Sequence, residues 1–240
     1  QNMLFLETNR LLKLKKPEDV AHIHITYLPV IPSIGEMKSK PAQMSVRDLN
    51  AVGIQPDIIL ARAQTPLDAP RIRKLATSTG LEPEDVISAP DVASVYDVPL
   101  NFHQQQLTQR VLSKVHLPAK ASKMADWQKF VNNIKNTKTN LKIAIVGKYF
   151  ATGDYTLADS YISVIEALKH AGAELGIKPE IAWIDASKVI KNPDLLAEYQ
   201  GIIVPGGFGA RDIEGKLEAI RYSREHKIPY LGLCYGIDRK

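Results

Sequence analysis

Cysteine is nearly absent: Cys234 is the only one in 240 residues. A single thiol excludes an internal disulfide and fits a reducing compartment, so a cytoplasmic protein is expected. No cysteine and histidine spacing matches a zinc site. No apolar run approaches the roughly 20 residues that a bilayer crossing needs. No basic-then-apolar export segment follows Gln1, and a membrane partner is not expected. Aromatic residues are few, at 7%, and the basic residues are spread along the chain rather than clustered. The net charge of +5 therefore points to small phosphorylated ligands or to a merely solvated basic surface, not to nucleic acid. Internal repeats and low-complexity tracts are also missing. What is present, 45% hydrophobic and 24% charged residues, is the composition of one or two globular domains.

The most informative stretch lies near the end, Ile228-Pro229-Tyr230-Leu231-Gly232-Leu233-Cys234-Tyr235-Gly236. An apolar run stops at a cysteine flanked by glycines two residues away on each side. This G-x-C-x-G pattern is the thiol counterpart of a nucleophile elbow, where a strand delivers a side chain to a sharp turn and a helix starts behind it. Gly232 and Gly236 leave room for such a turn. A helix N-terminus behind Cys234 favours a thiolate. The competing account of these residues is a small cysteine buried in a core.

Upstream of the elbow, strands and helices alternate. Strands are expected at residues 142–147, 180–184, 201–205 and 230–233. Helices are expected at 158–170, near Leu195, and at 214–225. That order implies a parallel sheet with helices on both faces and ligands at the carboxyl ends of its strands. Pro205-Gly206-Gly207-Phe208-Gly209 follows one strand and Cys234 follows the next, so both belong at one edge. There the glycine-loop N–H groups can hold an oxyanion beside a thiol. A base is also needed. His226 precedes its strand and belongs at the opposite edge, and His170 ends a helix that points away. The base is therefore expected beyond residue 240.

The first half reads less sharply. Helices are expected at 4–15, from a Ser45 cap through Val46, Leu49 and Val52, at 71–77, and at 104–115. Strands are expected at 22–31, with Pro29 and Pro32 ending its pairing, and at 57–62 and 86–88. His22 and His24 share one strand face and read as structural. The loop around Lys38, Ser39 and Lys40 offers two ammoniums and a hydroxyl, chemistry suited to a polyphosphate; exposed loops carry such residues without a ligand as well. Residues 117–140 change character, with Pro118, five lysines and four asparagines, and read as a linker with one short helix. The domains are then 1–116, a linker 117–140, and 141–240.

Residues 142–238 resemble the first half of a class I glutamine amidotransferase domain and, more narrowly, the CTP synthase family. Pro205 to Gly209, Glu214-Gly215, Arg224-Glu225 and Ile228 to Cys234 carry the likeness, with Ser163 to His170. Upstream, Gly35-Glu36-Met37-Lys38-Ser39-Lys40-Pro41-Ala42-Gln43 is similar to that family's nucleotide loop, and Gly53 to Ile58 to the segment after it. The resemblance implies an α/β protein of two domains, each with a mainly parallel sheet flanked by helices, incomplete at both ends. It implies a ligase that makes CTP from UTP, ATP and glutamine, inactive as this fragment alone. Cys234 matches the nucleophile, and Gly207, Tyr235, Gly236, Ile237 and Asp238 match the glutamine site. Lys38, Ser39, Lys40, Gln43 and Lys74 match positions for UTP or the inhibitor CTP; Pro90, Asp91 and Val92 match a segment near ATP. Magnesium, with ligands outside this chain, GTP as activator and a homotetramer are implied too. The pattern departs from the family where Asp238 replaces a glutamine, Ala42 and Ser39 replace threonines, and Asp212 replaces a glycine. Another amidotransferase, or a non-catalytic paralogue, stays open on these residues.

Overall fold

The computed structural model describes residues 2–147, 151–152, 155–156, 161–206 and 213–237. The chain divides into two compact units, Gln1–Met124 and Ala125–Lys240. The expected linker at 117–140 thus spans this division, and holds one helix of the second unit and the first residues of a strand.

The first unit runs α1 (Met3–Lys15), β1 (Ile23–Tyr27), β2 (Val30–Ile31), β3 (Glu36–Met37), α2 (Lys40–Ala51), β4 (Ile58–Ala63), α3 (Ala69–Thr79), β5 (Val86–Pro90), α4 (Val98–Gln104) and α5 (Leu107–Lys114). Strands β1, β4 and β5 form a parallel sheet with β4 in the middle. The central place suits β4, whose Ile58, Ile59, Ala61 and Ala63 are all buried. Helices α2 and α3 bring Ala42, Val46, Leu75 and Ala76 into the cluster that holds Ile59, Ala61 and Ala63. Asp68 caps α3 by accepting from the Arg71 N–H, and left-handed Gly80 ends it.

Three expectations are corrected here. The helix expected from a Ser45 cap begins at Lys40, with Ser39 in the cap position. Pro41 explains the earlier start: its fixed φ and missing N–H suit a first turn. Ser45 instead lies inside α2, and its Oγ sits 2.8 Å from His24 Nε2. The strand expected at 22–31 is broken at Leu28-Pro29; β2 pairs antiparallel with β3, and the Pro29 carbonyl accepts from Lys38 N–H. The helix expected at 104–115 is two helices. Gln105 turns its amide onto the β5 edge, its Oε1 accepting from Ser88 N–H and its Nε2 donating to Ser88 O, both at 2.8 Å. Gln106 then takes φ 58° before α5 begins. A side chain that pairs with an edge strand like a backbone outweighs an unbroken helix here.

Burial lowers the His24 pKa from its ordinary value near 6.5. The unfolded chain then binds a proton that the folded one resists, so stability falls as pH drops from 6.5 toward the lower folded value and is full above 6.5. Denaturant unfolding between about pH 7.5 and pH 5 should show this slope, and His24→Gln should flatten it.

The second unit runs α6 (Ala125–Lys135), β6 (Thr139–Gly147), β7 (Ala151–Thr152), β8 (Tyr155–Thr156), α7 (Ile162–Leu175), β9 (Ile177–Asp185), α8 (Ala186–Lys191), β10 (Gly201–Val204), α9 (Ile213–Glu225) and β11 (Tyr230–Gly232). The helix expected near Leu195 is a single 3-10 turn, Pro193–Leu196. Apart from the small antiparallel β7–β8 pair, the strands form a parallel sheet in the order β11-β10-β6-β9. Alternation along β6 fills both faces. Ala144 and Val146 join Ala186, Val189, Ala219 and Tyr222 of α8 and α9. Ile143 and Ile145 face Val164 and Leu168 of α7. The sheet is therefore doubly wound, as the strand and helix order implied.

Candidate functional site

In the second unit, β10 and β11 run parallel with Val204 opposite Gly232. Leu233 N–H adds one more bond to Val204 O, at 3.0 Å. The chain then turns sharply. Cys234 takes φ 54°, a left-handed conformation that costs an ordinary side chain and collects at functional turns. A 3-10 turn over Cys234–Gly236 follows, in which Gly236 N–H donates to Leu233 O at 2.9 Å. The flanking glycines are required by space. A Cβ on Gly232 would lie 2.2 Å from Gly236 O, and one on Gly236 would lie 2.1 Å from Val204 O. Tyr230 Oη donates to Gly236 O at 2.6 Å and fastens the turn to its strand.

The thiol that results is free and exposed. Gly206, first glycine of the loop after β10, lies against it: a Cβ there would meet Cys234 Cβ at 3.2 Å and Sγ at 3.7 Å. Cys234 and Gly206 thus share the carboxyl edge of the sheet. An exposed thiol on a strained turn can attack a carbonyl, and a glycine main chain beside it is the kind of element that holds a developing oxyanion. His226 sits between α9 and β11, at the other end of that strand, stacked on Tyr222 with its Nδ1 3.0 Å from Tyr222 O. His170 turns its ring edge to Phe130 of α6. Gly207, Asp212 and Asp238 lie outside the described residues. Tyr235 and Gly236 form the turn, and Ile237 follows it, largely exposed.

The expected nucleotide positions of the first unit gather at the carboxyl edge of its own sheet. The β2–β3 hairpin carries the chain from the end of β1 to the N-terminus of α2. There Ser39 is buried and receives Gln43 Nε2 on its Oγ at 3.2 Å. Lys40 is exposed on the first turn. That turn carries no acidic residue, so two ammoniums flank the positive end of the helix dipole. A bound anion would relieve that arrangement. Lys38 Nζ pairs with Glu36 at 2.6 Å. This bond holds the Glu36 carboxyl below its usual range, and Arg71 and Lys74 on α3 push it the same way. Lys74 therefore joins the cluster despite its distance in sequence. Pro90 is the last residue of β5 rather than the start of a turn. Asp91 N–H donates to Ala63 O at 2.9 Å, and the Asp91 carboxylate takes a 2.7 Å bond from Arg62; Val92 follows, half-buried.

Sequence reading missed Glu36 and Arg71. Arg71 lies on the helix expected at 71–77; its Nε donates to Met37 O at 3.4 Å and its charge acts on Glu36. No local spacing signals this, because the contact joins a hairpin to a helix about 34 residues on. Among the described residues no three carboxylate, imidazole or thiol groups are placed to hold a metal ion. No described helix is long and apolar enough to cross a membrane.

Two family descriptions match the chain: CTP synthase N-terminus over residues 1–117 and class-I glutamine amidotransferase over residues 156–238. Among similar proteins, the CTP synthase of Sulfolobus acidocaldarius is 42% identical over 240 residues, covering 99% of this chain and 44% of its own length. That of Thermococcus gammatolerans is 44% identical over 238 residues, with 98% and 44% covered. That of Geobacillus kaustophilus is 42% identical over 240 residues, with 99% and 44% covered. The chain thus spans less than half the length of these relatives. Among solved structures, the Trypanosoma brucei CTPS glutaminase domain with bound acivicin aligns at 34% identity over 40% of this chain and 37% of its own, with a TM-score of 0.36.

Proposed function

We propose that this chain, which belongs to the CTP synthase family, serves a protein that aminates UTP to CTP with ATP and glutamine. The observation that carries the reading is an exposed Cys234 held at φ 54° beside Gly206. Cys234 Sγ attacks the glutamine side-chain carbonyl. The carbon–nitrogen bond breaks, and the departing nitrogen takes a proton and leaves as ammonia. Water then cleaves the thioester to glutamate. ATP phosphorylates the uracil 4-oxygen, ammonia adds at that carbon, and phosphate departs, giving CTP and ADP. The first unit supplies the UTP or CTP contacts through Lys38, Ser39, Lys40, Gln43 and Lys74, and Pro90, Asp91 and Val92 lie near ATP. The base for the thiol and the carboxylates for magnesium belong to the remaining length of the protein. A homotetramer activated by GTP, inhibited by CTP and housed in the cytoplasm completes the reading.

The test is UTP, ATP and glutamine turnover by the full-length protein, read as CTP formed per glutamate released. Failure to form CTP from either glutamine or ammonia would sink the proposal. Lys40 should matter more than Lys38 for UTP. Lys40 offers an exposed ammonium on the helix, whereas Lys38 must first leave Glu36. A charge-assisted contact is worth about 1.5–3 kcal/mol, so Lys40→Ala should weaken UTP binding roughly 10- to 100-fold. Lys38→Ala should cost less, and Glu36→Gln, which frees Lys38, should tighten binding. Calorimetric UTP titration of the full-length variants reads all three.

A further inference from the structure

Gly206 lies beside the thiol residue, yet a glycine has the least resistance to peptide rotation of any residue. The structure holds it from both sides. Tyr161, buried just before α7, donates its hydroxyl to Gly206 O at 3.3 Å. Its ring lies 6.5 Å from Trp183 of β9, and it belongs to the apolar cluster of Ile143, Ile145 and Ile203. Lys216, in the first turn of α9, is only 4% exposed, and its Nζ lies 3.5 Å from Pro205 O. A lysine that deeply buried is rare and costly without a polar partner. Helix α9 packs on the other face of the sheet, with Ala144, Val146 and Val204. Two successive carbonyls at the end of β10 are therefore claimed by side chains from opposite faces.

A peptide unit is planar, and in the trans form its N–H points away from its C=O; no described peptide is cis. Holding Pro205 O sets the direction of Gly206 N–H, and holding Gly206 O fixes the far side of the same residue. A flip of the Pro205–Gly206 plane would put Pro205 O where Gly206 N–H stands, beside the thiol residue, and a carbonyl's negative end would oppose an oxyanion there. We propose that Tyr161 and Lys216 are positioning residues for the thiol chemistry: by holding Gly206 O and Pro205 O they keep Gly206 N–H from flipping. The proposal rests on the reading of Cys234 as the nucleophile that opens glutamine.

The experiment uses Tyr161→Phe and Lys216→Met in the full-length protein, with Lys216→Arg to keep a buried cation should the methionine fold poorly. Glutamine hydrolysis is compared with alkylation of Cys234 by iodoacetamide, a displacement that forms no oxyanion. The expected result is a kcat for glutamine lower by roughly 10- to 100-fold in Tyr161→Phe and Lys216→Met. KM should stay within about threefold, the alkylation rate should be unchanged, and Lys216→Arg should recover part of kcat. Wild-type kcat in both Tyr161→Phe and Lys216→Met overturns the proposal. So does a parallel fall in hydrolysis, alkylation and thermal midpoint, which marks a purely structural role. A Cys234→Ala protein that still hydrolyses glutamine overturns the nucleophile reading instead, so the two failures are distinguishable.

Discussion

Cys234→Ala in the full-length protein is expected to cut glutamine hydrolysis by roughly ten-thousand-fold or more, while CTP formation from added ammonia continues. The split follows from the chemistry. In the proposed reaction the thiol is needed only to release ammonia, and an external supply bypasses it. Stability should barely move. The side chain is exposed, so its loss opens no cavity, and alanine keeps the same Cβ on the same left-handed backbone; a change within about 0.5 kcal/mol is expected. Cys234→Gly makes a sharper control. It also removes the nucleophile, but it relieves the φ of 54°, and should stabilise the protein by about 1 kcal/mol. An inactive glycine variant that is more stable than the wild type would show that the turn stores strain for the sake of aiming the thiol. Glutamine hydrolysis surviving in both variants would remove Cys234 from the mechanism.

What could be read in advance was local or periodic. The apolar runs of β4, β6 and β10 announce buried parallel strands, because each is apolar on two faces. Gly232 and Gly236 announce a cramped turn around Cys234. Val204 and Gly232 sit side by side because strands that alternate with helices must run parallel. What escaped was a matter of distant partners. Gln105 ends α4 because its amide matches the Ser88 backbone, 17 residues away. Tyr161 falls inside the helix expected at 158–170, and nothing in its spacing places its hydroxyl on Gly206, 45 residues later. The start of α2 is a different kind of miss. Pro41 suits a first turn as well as Ser45 suits a cap, and packing of Ala42 and Val46 into the core goes with the earlier start. Side-chain chemistry that depends on tertiary neighbours is not carried by spacing, and the clamp on Gly206 is of that kind.

Gly236→Ala should be the most damaging single methyl group near the thiol. Among the described glycines, left-handed φ angles occur at Gly35, Gly53, Gly80 and Gly176, so the demand at Gly236 is for space. Its added Cβ would sit 2.1 Å from Val204 O, 3.0 Å from Val204 C and 3.1 Å from Val204 Cγ1. Two of those atoms are backbone of β10, which cannot retreat without parting from β11. That strand pair is what sets Gly206 beside Cys234, so relief of the clash and loss of the site are one motion. A cost of about 3 kcal/mol or more is expected, with glutamine hydrolysis lost and ammonia-dependent amination less affected. Gly176→Ala separates the causes. There φ is +69° and nothing lies within 4 Å, so only backbone strain of about 1–2 kcal/mol is expected, with hydrolysis kept. Denaturant unfolding and glutaminase assays on the two full-length variants read the difference. Equal and small losses in both would mean that β10 and β11 can part without harm, and that the turn does not depend on the close fit of Gly236 under Val204.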